Sequence, residues 1–357
     1  RVLFNSYYNG VGDKYPRPQR GLISRPSLDD VLAYRVQVDA RVQNVISSAC
    51  DGDRAELAQL IRLGLQHEQQ HQELLLTDIK HAFSSNPQRP AYARHWPLAS
   101  TAPQTLRWHG YEGGLVEHGF DAALDGEFTF DNETPRHPVY VAPFELASRL
   151  VTNGEMVEFM RDGGYRRPEL WLSMGWDWVQ AGQHQLPLYW QEDDGGHYRH
   201  FTLQGLQDVD PNTPACHLSY FEADALARWA GARLPTEFEW ELAARQLPAS
   251  NAKSGNFVET GAYHPLPQQN ASLNSPAQMM GDVWEWTQSN YNPYPGYQPW
   301  EGLVGEYNGK FMCNQFVLRG GSCATPQSHV RASYRNFFPP EAQWQFSGVR
   351  LARNVKG

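Results

Sequence analysis

The 357-residue chain lacks any run of the roughly 18 apolar residues that a membrane-spanning helix requires. It also lacks a Lys/Arg-rich run. With a net charge of −9, nothing in it would attract a phosphate backbone or an anionic lipid surface, so nucleic acid and membrane are excluded as expected partners and small molecules are favoured. Cysteine is scarce: Cys50, Cys216, Cys313 and Cys323 are scattered without a CxxC pair. That pattern argues against a disulfide framework or zinc ribbon and fits free thiols in a reducing, cytoplasmic compartment, Cys313 with Cys323 being the pairing to weigh against them. Internal repeats, low-complexity tracts, an initiator Met and a signal-peptide pattern are missing too. What is plentiful is aromatic: 12 Trp, 17 Tyr and 16 Phe, beside 30 Gly and 25 Pro. This mixture predicts a loop-rich fold held by aromatic packing, and the length suits two domains.

Residues 1–26 read as an extended, Pro- and Gly-punctuated loop. Ser27-Leu-Asp-Asp30 then has the form of a capping box and predicts a helix from about Leu28 to Ser48; Asp51 or Asp53 caps a second helix through about Ala82. Two helices cannot bury their apolar stripes alone and a bundle normally has four, so this domain is expected to continue upstream of Arg1. The X-Pro steps of Ser84–Thr105 predict a linker. Beyond it come a strand over Val139–Phe144 and helices near Thr152–Glu155, over Tyr220–Ala230 and over Leu234–Arg245. The expected organisation is a helical domain over 1–83, a linker over 84–104 and a mixed α+β domain over 105–357.

Within the second helix stands His67-Glu-Gln-Gln-His71-Gln-Glu73. At about 100° per residue, His67 and His71 lie roughly 40° apart and one turn along, which is metal-ligand spacing. Glu73 is about 200° from His71 by the same arithmetic, so it reads as a residue behind the ligands or on the surface. The pair competes with two simpler readings: solvent-facing histidines, or the HExxH of a zinc peptidase with Glu68 as general base. A segment polar nearly all round and the lack of an HxxGxxH-type third ligand speak against the peptidase.

Several separated strings share a resemblance. Arg233-Leu-Pro-Thr-Glu-Phe-Glu-Trp-Glu241, Gly281-Asp-Val-Trp-Glu-Trp-Thr287 and Val317-Leu-Arg-Gly-Gly-Ser322, followed by Arg331, Tyr334, Arg335 and Gly348–Ala352, resemble the formylglycine-generating-enzyme (sulfatase-modifying-factor) fold, a C-type-lectin-like architecture. Cys313 and Cys323 do not match the copper-binding cysteines of those enzymes, so formylglycine generation is not implied. The HEQQHQE segment resembles a DinB-like bundle, and the two together resemble the EgtB-type sulfoxide synthases of ergothioneine biosynthesis. The resemblance implies a nonheme Fe(II) enzyme that uses O2 to join a thiol to C2 of the imidazole of hercynine (Nα-trimethylhistidine), giving a sulfoxide.

By the same resemblance, His67 and His71 are the second and third iron ligands, the first being expected upstream of Arg1. Gln70 is placed beside a substrate imidazole nitrogen. Arg17 and Arg20 match an element that takes the carboxylate of the thiol, a task that suits a guanidinium. Tyr7 or Tyr8, in the shared Asn5-Ser-Tyr-Tyr8 string, is a candidate proton donor. Asn336 matches a residue that contacts the betaine carboxylate, and Phe337 or Phe338 would wall the trimethylammonium by cation–π attraction or simply pack in the core. Where the γ-glutamylcysteine-using enzymes place an Asp for the amine of the thiol substrate, this chain has Phe338, which favours cysteine. Related readings are a 5-histidylcysteine sulfoxide synthase, a selenoneine synthase and, from another class, a non-catalytic lectin-like binding module.

Overall fold

The computed structural model describes residues 5, 8–93, 101–248, 254–269 and 274–355. They divide into two compact units, one drawn from 1–68 and 298–310, the other from 69–297 and 311–357.

In the first unit, Pro16 and a proline in the first turn set up a 3-10 helix at Arg17–Leu22, where an extended loop was expected; the fixed φ of proline is already that of a helix start. Helix α1 (Leu28–Ser48) begins at the anticipated capping box, Ser27 Oγ accepting from the Asp30 amide and Asp30 accepting from the Ser27 amide. None of its residues is buried. Helix α2 (Arg54–Ser85) starts in this unit and runs on into the next. Only in its second half does it bury residues: Glu73, Leu76, Thr77 and Lys80, spaced as one helical face.

The second unit carries the strands. In chain order they and their helices are β1 (Trp108–Tyr111), β2 (Gly114–His118), α3 (Ala122–Asp125), β3 (His137–Val141), β4 (Phe144–Ala147), α4 (Asn153–Arg161), α5 (Ser173–Gly182), β5 (Trp190–Glu192), β6 (Tyr198–Thr202), β7 (Gly205–Asp208), α6 (Tyr220–Trp229), α7 (Glu237–Arg245), β8 (Trp284–Asn290), β9 (Phe316–Arg319), β10 (Asn336–Phe338), β11 (Ser347–Gly348) and β12 (Ala352–Asn354). They form four small sheets with orders β1-β4-β12, β10-β9-β8-β11, β2-β3 and β5-β6-β7. All pairings are antiparallel except β11 with β8. The strand foreseen over Val139–Phe144 is two strands, because Ala142-Pro143 interrupts the run and proline cannot donate to a ladder.

Small sheets leave a core in which charge is interleaved with aromatics. Trp240, Trp284 and Trp286 are fully buried, and so are Arg319 and Arg350. Each buried guanidinium has carboxylate partners: Arg350 forks onto Glu285 at 2.8 and 2.9 Å, and Arg319 lies between Glu237 (2.8 Å) and Glu241 (3.2 Å). Such desolvated charges persist only when paired. Helix α7 is held the same way, Arg233 gripping Glu239 through both nitrogens while Glu239 closes the Thr236 capping box. After β9 the chain turns at Gly320, whose φ of +95° and a backbone oxygen 2.6 Å from where a Cβ would stand admit only glycine.

Candidate functional site

Helix α2 is unbroken from Arg54 to Ser85, so His67, Gln70 and His71 keep the helical spacing that the sequence implies. In the first unit the His67 ring meets Tyr307 edge to face, centroids 5.5 Å apart. The loop bearing Tyr8 is tied by Asn5, whose buried carboxamide donates to the carbonyls of Tyr8 (2.9 Å) and Gly12 (2.8 Å) and accepts from the Tyr8 amide (3.1 Å). Glu306 receives the amides of Asn9 and Gly10 at 2.9 and 2.7 Å. Desolvation, with the Glu306 charge, raises the Tyr8 pKa, so its phenol stays protonated at neutral pH and able to donate. Arg20 is exposed and Arg17 opens the 3-10 helix; Tyr7 lies outside the described residues.

In the second unit, Gln70 donates from Nε2 to Tyr334 Oη at 2.7 Å, and Gln69 donates to Ser328 Oγ at 2.7 Å. Tyr334 is buried, and its hydroxyl also lies 2.9 Å from His329 Nε2. Burial and the neighbouring Arg331 guanidinium push the His329 pKa down to about 3, so its ring is neutral. Asn336 accepts the Phe337 amide at 2.9 Å. Phe337 stacks on Tyr291 with centroids 3.9 Å apart, while Phe338 meets Trp344 edge-on at 5.1 Å. Thus Gln70 and the Tyr334 end of the Tyr334–Phe338 string are brought into direct contact.

Glu73 is where the sequence reading changes. It is not a surface residue: its carboxylate is buried and accepts from Trp284 Nε1 (2.8 Å), Ser322 Oγ (2.7 Å) and Thr325 Oγ1 (2.9 Å). Desolvation raises its pKa and those three bonds oppose the rise. Two turns on, Lys80 is equally buried, its amine 2.6 Å from His217 Nε2 and within 5.2 Å of the Tyr189 and 4.8 Å of the Phe346 ring centroids. Burial lowers the pKa of Lys80, and burial with the Lys80 charge lowers that of His217. Among the described residues, no group of three or more His, Cys, Asp or Glu side chains has the geometry of a metal site. The four cysteines are free thiols, Cys216 and Cys323 buried.

The family profile of the sulfatase-modifying factor enzyme 1-like domain matches residues 110–355. Hercynine oxygenase of Mycobacterium tuberculosis is 37% identical over 368 residues, covering 97% of this chain and 83% of its own length. That of Mycolicibacterium smegmatis is 32% identical, covering 96% and 82%. The chain belongs to the hercynine oxygenase family. Among solved structures, PvdO from Pseudomonas aeruginosa is 19% identical with a TM-score of 0.46, covering 72% of this chain and 100% of its own.

For this hercynine oxygenase family member, sequence reasoning missed His329, Lys80, and the contact that Tyr334 makes. A signal for one of them existed: positions 73, 76, 77 and 80 fall on one face of α2, so Glu73 and Lys80 share the stripe of Leu76.

Proposed function

We propose that this chain is a nonheme Fe(II), O2-dependent oxidoreductase of ergothioneine biosynthesis that joins the sulfur of a thiol to C2 of the hercynine imidazole. The balance is thiol plus imidazole C–H plus O2 giving sulfoxide plus water. One oxygen atom goes to sulfur, and the other leaves with the thiol and C2 hydrogens, so the four electrons taken from the organic partners reduce O2 completely. The reading is carried by the similarity to hercynine oxygenases over 97% of the chain, in a sequence that keeps HxxxH on an unbroken helix. Residues 1–83 are then the metal-bearing helical domain, 84–104 the linker and 105–357 the second domain.

Two imidazoles one turn apart are a donor set that fits Fe(II), though only in part, since no third described ligand accompanies them. His67 and His71 would hold the ion, which would supply the redox chemistry that activates O2 toward the thiol. The remaining roles fall to the chain itself. Arg17 and Arg20 take the carboxylate of the thiol, Gln70 meets the substrate imidazole, and Tyr8 or Tyr7 donates a proton. Asn336 takes the betaine carboxylate, while Phe337 or Phe338 walls the trimethylammonium. An apolar Phe338 cannot pair the amine of γ-glutamylcysteine, and a charged amine left unpaired in a closed site costs on the order of 1–3 kcal/mol. Cysteine is therefore the preferred thiol.

The test is an anaerobic mixture with Fe(II), hercynine and cysteine, opened to O2 and read by mass spectrometry. O2-dependent hercynylcysteine sulfoxide is expected, with γ-glutamylcysteine disfavoured at least about tenfold in kcat/KM. Absence of any coupled product overturns the reading; equal use of both thiols overturns only the role of Phe338.

A further inference from the structure

Two of the four residues that α2 buries are titratable, Glu73 and Lys80, and neither has a part in the proposed chemistry. Glu73 stands two residues from His71. It lies about 200° from His71 round the helix, so it is no ligand to a metal held there. Its carboxylate enters a socket built by three donors remote in sequence: Trp284 Nε1 and Ser322 Oγ meet Oε1 at 2.8 and 2.7 Å, and Thr325 Oγ1 meets Oε2 at 2.9 Å. The socket is itself seated. Trp284 is 1% exposed on β8, while Ser322 Oγ accepts the Ala324 amide at 3.2 Å and Thr325 Oγ1 accepts the Ser322 amide at 2.8 Å, both residues fully buried. Apolar packing such as that of Leu76 has no direction and lets a helix roll about its axis, whereas a hydrogen bond weakens steeply once off line. A roll of about 20° would carry an imidazole nitrogen about 6 Å from the axis through about 2 Å, far beyond the roughly 0.2 Å that a metal–ligand bond tolerates.

We propose that Glu73 is a positioning residue for the metal site: its bonds to Trp284, Ser322 and Thr325 fix the rotation and depth of the α2 turn that bears His71, and with them the direction in which that imidazole points. The inference rests on the reading that His67 and His71 hold iron. A helical side chain leans toward the N-terminus of its helix, so Glu73 grips the His71 turn rather than the one after it. Lys80 supplies the comparison. It shares the buried face and is tied to His217 at 2.6 Å, but it stands about 13.5 Å along the axis from His71, and a single tie that distant leaves the His71 turn free to bend.

The experiment titrates Fe(II), and Co(II) as a coloured probe, anaerobically into the full chain, and records the Co(II) d–d spectrum and Tm, in the wild type, Glu73→Met, Glu73→Gln, Ser322→Ala/Thr325→Val and Lys80→Met. Glu73→Met keeps the length of the side chain and loses all three bonds, so both metals should bind about tenfold more weakly or worse, with displaced d–d bands. The Ser322→Ala/Thr325→Val pair dismantles the socket from its other side and should do the same, which keeps the test open if Glu73→Met fails to fold. Glu73→Gln can still accept from Trp284 and Ser322 and donate to Thr325, and should stay within about threefold of the wild type. Lys80→Met should shift Tm yet leave metal affinity within about twofold and the spectrum unchanged. Wild-type affinity and spectrum in Glu73→Met or in the Ser322/Thr325 pair, an equal loss in Lys80→Met, or a loss in Glu73→Gln as large as in Glu73→Met overturns the positioning role. A wild type that binds neither metal stoichiometrically instead brings down the iron reading on which it rests.

Discussion

Glu68, between the two histidines of α2, separates two chemistries by a single carboxylate. In an HExxH peptidase it would be the general base, whereas in the proposed synthase it has no part in the reaction. Glu68→Gln should therefore leave O2-dependent sulfoxide formation within about twofold of the wild type, while His67→Ala or His71→Ala should abolish it together with most bound iron, assayed by metal analysis. Full iron and normal turnover in either alanine variant would sink the ligand assignment. At this scale the sequence was legible where helical spacing alone fixes a residue's position, as with His67, Gln70 and His71 on α2. It placed Glu73 behind the ligands or on the surface and could not show its burial, because its three donors come from positions 211, 249 and 252 residues away. Helical arithmetic gives the angle of a side chain and says nothing of what the rest of the chain lays against it.

Elements were legible where their ends are chemical. The capping boxes of Ser27 with Asp30 and Thr152 with Glu155 start α1 and α4 as the side chains require, and α7 starts at Glu237 because Thr236 is its cap. The strands were harder to read, since sheets of two to four short strands leave little room for a period of two, and the pairing of β8 with β9 and β11 depends on contacts remote in sequence. The turn after β9 provides the test at this scale. In Gly320→Ala the new methyl would lie 2.6 Å from Met279 O and 3.1 Å from the Trp240 ring at a φ of +95°, predicting a loss of about 2–4 kcal/mol in urea unfolding. Gly231→Ala, at φ +67° with nothing within 4 Å, bears the left-handed strain alone and should lose only about 1–2 kcal/mol. Equal losses would show that the Gly320 clash is relieved by movement.

The whole molecule carries an unusual load of buried neutral histidine. His200 and His329 are pushed down to about 3, and His118, His217 and His264 are lowered as well, in each case by desolvation first and then by charged or titratable neighbours: arginines at His118 and His329, Lys80 at His200 and His217, His200 and Lys80 at His264. Their unfolded pKa is about 6.5, so below that value the unfolded chain binds protons that the folded one refuses. The stability these groups contribute is complete above pH 6.5 and is lost as pH falls from there toward about 3 for His200 and His329. Each adds a slope of up to about 1.4 kcal/mol per pH unit in that window. Urea midpoints should fall between pH 7 and pH 5.5. A midpoint that holds or rises would mean that these rings are already charged in the native protein.

Lys80 has a consequence for reagents. Acylation needs a neutral amine within reach of the solvent; burial lowers the pKa of Lys80, which favours the first condition, but at 1% exposed Lys80 fails the second. Lys14, by contrast, stands in water. In a pulse of an amine-reactive ester, followed by peptide mass spectrometry, Lys14 should be modified in the native enzyme while Lys80 remains untouched until its surroundings open. Once opening is slower than labelling, the appearance of modified Lys80 would count unfolding events one by one. Rapid native-state acylation of Lys80 would show instead that the lattice of Tyr189, Phe346 and His217 breathes on the timescale of the pulse.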